Sequence, residues 1–292
     1  MALYDPAVLI RRYKRVLGPY LVIWTLQVCL VLAFLPAMFL PDAFSSLSSG
    51  TISLLVSFFT GGFGPGSYFI PVILQQILLL PLLYWTAVRF SPDRMLVFAL
   101  VINIALEACA VATGLSPSIY TNSFIPYFMA AACGVWLAFH KKEITPWMVA
   151  AGLASVAYIA AVYYFNFHFV FIDTAKGFFN VFSYFWTLLL VAAGLRYLSP
   201  KSVTLPSRIL RELGKASWHI FLVQMTFLFF FQTPMVNAID KAVPSTGPVS
   251  EFIFLSILTI PSLIICLLVG YGYYLAEEKI RTHLAGKYAG NH

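Results

Sequence analysis

Few side chains in this sequence stand where they could do chemistry. Glu107 is the one charged residue well inside a long apolar run, and Asn103 precedes it by four residues, so the two share a helical face. A carboxyl and an amide turned together into a helical bundle can hold a substrate hydroxyl or a proton, or can simply join two helices. His219 follows Ser217 and Trp218 near the start of another apolar run, at a depth where an imidazole base meets a soluble donor. No carboxylate three or four residues away orients it. Gln75 and Gln76 lie between Pro71 and Pro81, two prolines that invite kinks and leave carbonyls open to a ligand; the amides can serve a substrate or glue helices. Arg11, Arg12, Lys14 and Arg15 form a basic cluster ahead of the first apolar run, suited to phosphate groups or to anionic lipid. The other histidines, His140, His168, His283 and His292, fall at run ends or in loops, where solvated roles suit them.

The elements that must carry these residues are set by composition. The chain has 292 residues, 61% hydrophobic and 10% charged, against roughly 25% charged in a soluble domain. Its mean hydropathy is +0.86. A single core cannot hide that much apolar surface, so a soluble protein is excluded. Eight apolar runs, at 17–40, 66–88, 95–114, 120–139, 146–165, 177–195, 214–234 and 252–275, are each long enough to approach the span of about 30 Å of hydrocarbon. They lack the alternation of barrel strands, so the fold class is all-α: a polytopic transmembrane helical bundle of about eight spans. The Ser-rich stretch 44–60 reads as an interfacial helix or a partial insertion. Threading eight spans puts sixteen of the eighteen Lys and Arg residues on one side, leaving Lys176 and Lys241 on the other. By the positive-inside rule both termini are cytoplasmic. The net charge of +7 is therefore a topology signal, with no nucleic-acid patch.

The first run is too long for a signal peptide and no cleavage site follows it, so it stays as an anchor. Cys29, Cys109, Cys133 and Cys266 fall inside spans as apolar fillers, predicting neither disulfide nor metal. No internal repeat is visible, and residues 1–292 read as one membrane-embedded domain.

Four stretches carry a resemblance: Ile10 to Tyr20, Gly66 to Leu83, Leu213 to Gln224, and Tyr273 to Lys279. In this order and spacing the chain resembles the acyltransferase 3 family of integral membrane acyltransferases. The resemblance implies transfer of an acetyl or other acyl group from acyl-CoA to a hydroxyl of a glycan or other cell-envelope acceptor, in a multi-pass protein of the plasma (inner) membrane. It also implies that Arg12 and Lys14, with Arg11 and Arg15 alongside, face the phosphates of acyl-CoA. The family's ten-helix unit begins with a helix bearing an arginine and the histidine taken as catalytic base. This sequence begins at the basic segment that follows the family's second helix, which fits eight spans against ten.

Two expectations follow from that departure. The chain alone is expected to show no measurable transfer, His219 and Glu107 being the only substitutes for the missing base, or it packs against a chain supplying two helices. Gln224 stands where many relatives have a histidine; an amide cannot be a base and joins Asn103, Gln75 and Gln76 as a substrate-pocket residue. The competing readings are a non-catalytic partner or remnant of such an enzyme, and a transporter of small molecules or lipid-linked glycans, for which Glu107 is the only hint.

Overall fold

A computed structural model describes residues 5–34, 54–140, 144–165, 184–197, 205–242 and 248–289. The described residues contain helices and no strand. They are α1 (Pro6–Phe34), α2 (Phe69–Phe90), α3 (Pro92–Ala112), the short α4 (Pro117–Thr121), a 3-10 turn (Ile125–Tyr127), α5 (Phe128–His140), α6 (Pro146–Phe165), α7 (Tyr184–Tyr197), α8 (Leu205–Ala242) and α9 (Pro248–Ala289). Five segments are long and apolar enough to cross a membrane: Pro6–Ala33, Phe69–Phe90, Pro92–Ala112, Pro206–Asn237 and Leu258–His283. Apolar side chains on their surfaces are bare, with Val22, Val97, Val101, Leu263 and Leu268 each more than half exposed. Lipid is the solvent such faces require. The three remaining apolar runs correspond to α5, α6 and α7, whose described apolar lengths are shorter. Positions 35–40 and 177–183 of the expected spans, His168, His292 and the first part of the 44–60 stretch lie outside the described residues.

Helix ends differ from the sequence expectation. The first helix starts at Pro6 rather than 17 and carries the whole basic cluster, because Lys and Arg are good helix formers and Gly18 and Pro19 do not stop it. Likewise α8 runs through Gly214 and Pro234, and α9 through Pro261. Packing within a membrane bundle satisfies the backbone groups that a proline frees. The run 120–139, expected as one helix, is broken at 122–127. Asn122 and Ser123 compete for backbone hydrogen bonds and Pro126 disfavours helix before it. Of the 44–60 stretch, the described residues 54–59 are helical.

Two compact units divide the chain, Met1–Lys14 with Tyr68–Ser202 and Arg15–Ser67 with Val203–His292. In the first, α3, α5 and α7 pack around Trp136, Met129, Ala132, Ala99 and Ala192, all nearly inaccessible. Ser91 alone joins α2 to α3; its φ is +141°, and its side-chain oxygen accepts the Arg94 N–H at 3.3 Å ahead of Pro92 in the first turn.

In the second unit, α8 and α9 lie side by side, and the glycine-rich loop from Thr60 to Gly66 packs on α1 and α8. The fully buried amide of Gln27 seats that loop: its Oε1 accepts the Phe63 N–H at 3.1 Å, while its Nε2 donates to the Phe63 carbonyl at 3.1 Å and to Thr226 Oγ1 at 2.9 Å. Gly64 has φ +107°, and a Cβ there would sit 2.5 Å from the Met225 carbonyl oxygen. Buried backbone outside a helix needs such partners for its N–H and carbonyl groups.

Candidate functional site

In the second unit α9 lies close enough to α8 to pair two side chains 58 residues apart. Gly270 permits the approach: a Cβ on it would fall 2.5 Å from the Ile220 Cα, against 3.4 Å or more in ordinary contact. Glu277 is seven residues on, two turns along the same face, and His219 is the neighbour of Ile220. One Glu277 oxygen (Oε2) meets His219 Nε2; the other (Oε1) accepts from Arg281, one turn further along α9. The two rings of Tyr273 and Tyr274 stand edge-on to the imidazole, at 4.9 and 5.5 Å between centroids. The Tyr273 hydroxyl donates to the Pro19 carbonyl at 3.0 Å, tying the pair to α1 four residues beyond Arg15.

His219 is 7% exposed, and its Nδ1 is enclosed, with no hydrogen-bond partner among the described residues. The carboxylate calls for a proton on Nε2, which leaves a lone pair on Nδ1. Arg281 balances the charge of Glu277 when the imidazole is neutral. This is the logic of an oriented base, in which a carboxylate fixes one nitrogen so that the other can take a proton. Gly270→Ala is expected to push the helices apart and lower any His219-dependent transfer by about a hundredfold, the order of loss for a misplacement near 1 Å. Steady-state rates on folded protein would check this, and an unchanged rate would remove Gly270 from the positioning role.

The sequence-derived residues fall in separate places. Asn103 and Glu107 do meet: in the first unit Asn103 Nδ2 donates to Glu107 Oε1 at 3.0 Å, both buried. The Asn103 oxygen accepts the Met129 N–H at 2.9 Å, serving an otherwise orphaned donor at the start of α5. Tyr120, Tyr158 and Tyr184 lie within electrostatic reach of Glu107. Gln75 holds the break before α5, donating to the Asn122 carbonyl at 2.9 Å and accepting the Phe124 N–H at 2.7 Å. The Tyr184 hydroxyl donates to the Pro126 carbonyl. Asn103, Gln75 and Tyr184 therefore converge on one segment, 122–129, where the helix is interrupted inside an apolar run. The Gln76 amide is enclosed with no hydrogen-bond partner among the described residues. Arg11, Arg12, Lys14 and Arg15 are all exposed on α1. Gln224 is exposed too; five residues past His219, it is turned about 140° around α8 and does not share the histidine's face.

Sequence reasoning missed Glu277, Arg281 and Gln27. The glutamates were visible within Tyr273 to Lys279, yet the expected span ended at 275. Among the described residues no group of three His, Cys, Asp or Glu side chains could hold a metal ion.

Long helices with bare apolar faces and charges gathered at their ends define a multi-pass α-helical membrane protein. A family model described as an acyltransferase domain matches residues 4–271, and the chain belongs to this acyltransferase 3 family. No curated protein and no solved structure shows a significant match to the chain.

Proposed function

We propose that this membrane acyltransferase moves an acetyl or other acyl group from acyl-CoA to a hydroxyl of a glycan or other cell-envelope acceptor, with His219 as general base and Glu277 as the group that positions it. The observation that carries the reading is the buried His219–Glu277 pair with Nδ1 unpartnered among the described residues, tied through Tyr273 to the helix bearing Arg15. In the step itself, His219 Nδ1 takes the acceptor hydroxyl proton as the oxygen attacks the thioester carbonyl. The carbon–sulfur bond breaks, and the imidazolium returns that proton to the departing CoA thiolate. Glu277 steadies the imidazolium that forms in between. With this assignment Glu107, bonded to Asn103 beside the start of α5, becomes a structural acid.

The finer topology belongs to the same reading. Eight spans with both termini cytoplasmic, in the plasma (inner) membrane, are favoured by the asymmetry of Lys and Arg, and they put the basic start of α1 where acyl-CoA is found. Arg11, Arg12, Lys14 and Arg15 then face the CoA phosphates, for which exposed guanidinium and ammonium groups are suited. The double change Arg12→Gln and Lys14→Gln is expected to weaken acyl-CoA binding more than tenfold, at about 1.5–3 kcal/mol for each charge-assisted bond lost. Calorimetry with acetyl-CoA in detergent measures this. Unchanged affinity would leave the cluster with orientation and lipid contact alone. Nanodiscs offering glycan acceptors to the purified chain test the transfer itself.

A further inference from the structure

A second feature, independent of the pair on α8 and α9, lies in the first unit. A cavity of about 350 Å³ opens between α3, α5, α6 and α7, a volume within the range of small-molecule sites. Leu96, Val97, Leu100, Ala151 and Phe185 make its wall apolar, and Asp93 is the only charged group in the lining. Asp93 is the second residue of α3, His140 the last of α5 and Trp147 the second of α6, so the polar rim lies at one end of all three helices. From Asp93 to Leu100 the groove descends seven residues, about 10 Å, less than the roughly 15 Å thickness of one hydrocarbon leaflet. Val97, 59% exposed, leaves its side open to lipid.

The rim selects a headgroup by its donors. Asp93 Oδ1 accepts the Trp136 Nε1–H at 2.7 Å, and its side chain is 72% exposed with Oδ2 unpartnered among the described residues. His140 stacks on Trp136 at 4.0 Å, and its Nδ1 lies 3.1 Å from the Trp136 carbonyl. His140 Nε2 lies 3.5 Å from Asp93 Oδ1, which leaves Asp93 Oδ2 as the open acceptor of the rim among the described residues. A primary ammonium, with three donors, can meet that oxygen. Arg94, the next residue, is exposed and has no carboxylate partner among the described residues, which suits the phosphate of the same lipid.

We infer that this groove binds one acyl chain of a phospholipid bearing a primary amine, its ammonium on Asp93. A carboxylate at the mouth disfavours an anionic headgroup, and a quaternary amine lacks an N–H to give it. The test is native mass spectrometry of the full chain from nanodiscs holding equal amounts of phosphatidylethanolamine, phosphatidylglycerol and phosphatidylcholine. Retained phosphatidylethanolamine is expected to exceed each of the others at least fivefold. Asp93→Asn, which keeps an acceptor for Trp136, is expected to reduce that preference below twofold, and Ala151→Trp to remove all three lipids. A phosphatidylethanolamine with a photoreactive acyl chain is expected to label Leu100 or Met129 in the unaltered chain, which needs no variant to fold. Equal retention of the three lipids, a preference that survives Asp93→Asn, or labelling confined to other helices would each overturn the proposal.

Discussion

Replacing His219 with alanine is expected to slow acyl transfer by roughly 10²–10⁴-fold, the contribution of a well-placed general base. Acyl-CoA affinity should stay within about twofold, because a base acts on the transition state and adds little to binding the donor. Glu277→Gln is expected to fall between the parent and the alanine variant. The amide oxygen can still accept from Nε2 but cannot balance an imidazolium, so the loss lies in kcat and changes with pH. A merely structural glutamate would leave the pH profile of the remaining activity where it was. The assay is transfer of a labelled acetyl group by the purified chain alone. If His219→Ala retains activity within threefold of the parent, the base is elsewhere, and the first-helix histidine that the family resemblance implies becomes the group to seek in a partner chain.

Stability should suffer most at the seat of the glycine-rich loop. Gln27→Leu preserves much of the volume but leaves the Phe63 N–H and carbonyl without their partner, at about 1–3 kcal/mol for each unsatisfied group. An overall loss of about 2–6 kcal/mol lowers the melting temperature in detergent by at least about 4 °C. Gly64→Ala acts on the same loop from the other side, since a residue with a Cβ rarely adopts φ +107° and would press on Met225 and Phe229. Melting temperatures for both variants within a degree of the parent would mean that water, rather than Gln27, satisfies the loop.

Much of the helical architecture was legible because apolar runs uninterrupted by charge have few alternatives in a bilayer. Their ends were not. Gly18, Pro19, Gly214, Pro234 and Pro261 carry the local chemistry of stops, and each lies inside a helix that tertiary packing sustains. The interruption at 122–127 was hidden for the opposite reason, because Phe124, Ile125 and Tyr127 keep the segment apolar while Asn122, Ser123 and Pro126 break it. The site was legible where partners are local. Asn103 and Glu107 are four residues apart and do meet; His219 and Glu277 are on different helices, and only the gap left by Gly270 brings them together. Gln27, a lone amide in an apolar run, gave no local sign that it served a loop 36 residues away.

The loop's seat also has a history in time. Trp24 and Gln27, on its first wall, are synthesised before it, whereas Phe221, Met225, Thr226 and Phe229, on the second, come much later; Gln27 precedes Thr226 by 199 residues. The loop itself ends at Gly66, 160 residues before Thr226, and at 5–20 residues per second that interval lasts on the order of 10–30 s. Through it the ribosome-bound chain holds a polar, glycine-rich segment against half of its final cradle. Slow codons between positions 66 and 221 are expected to lengthen that exposure, so translation speed across the middle of the message bears on how the loop finds its seat.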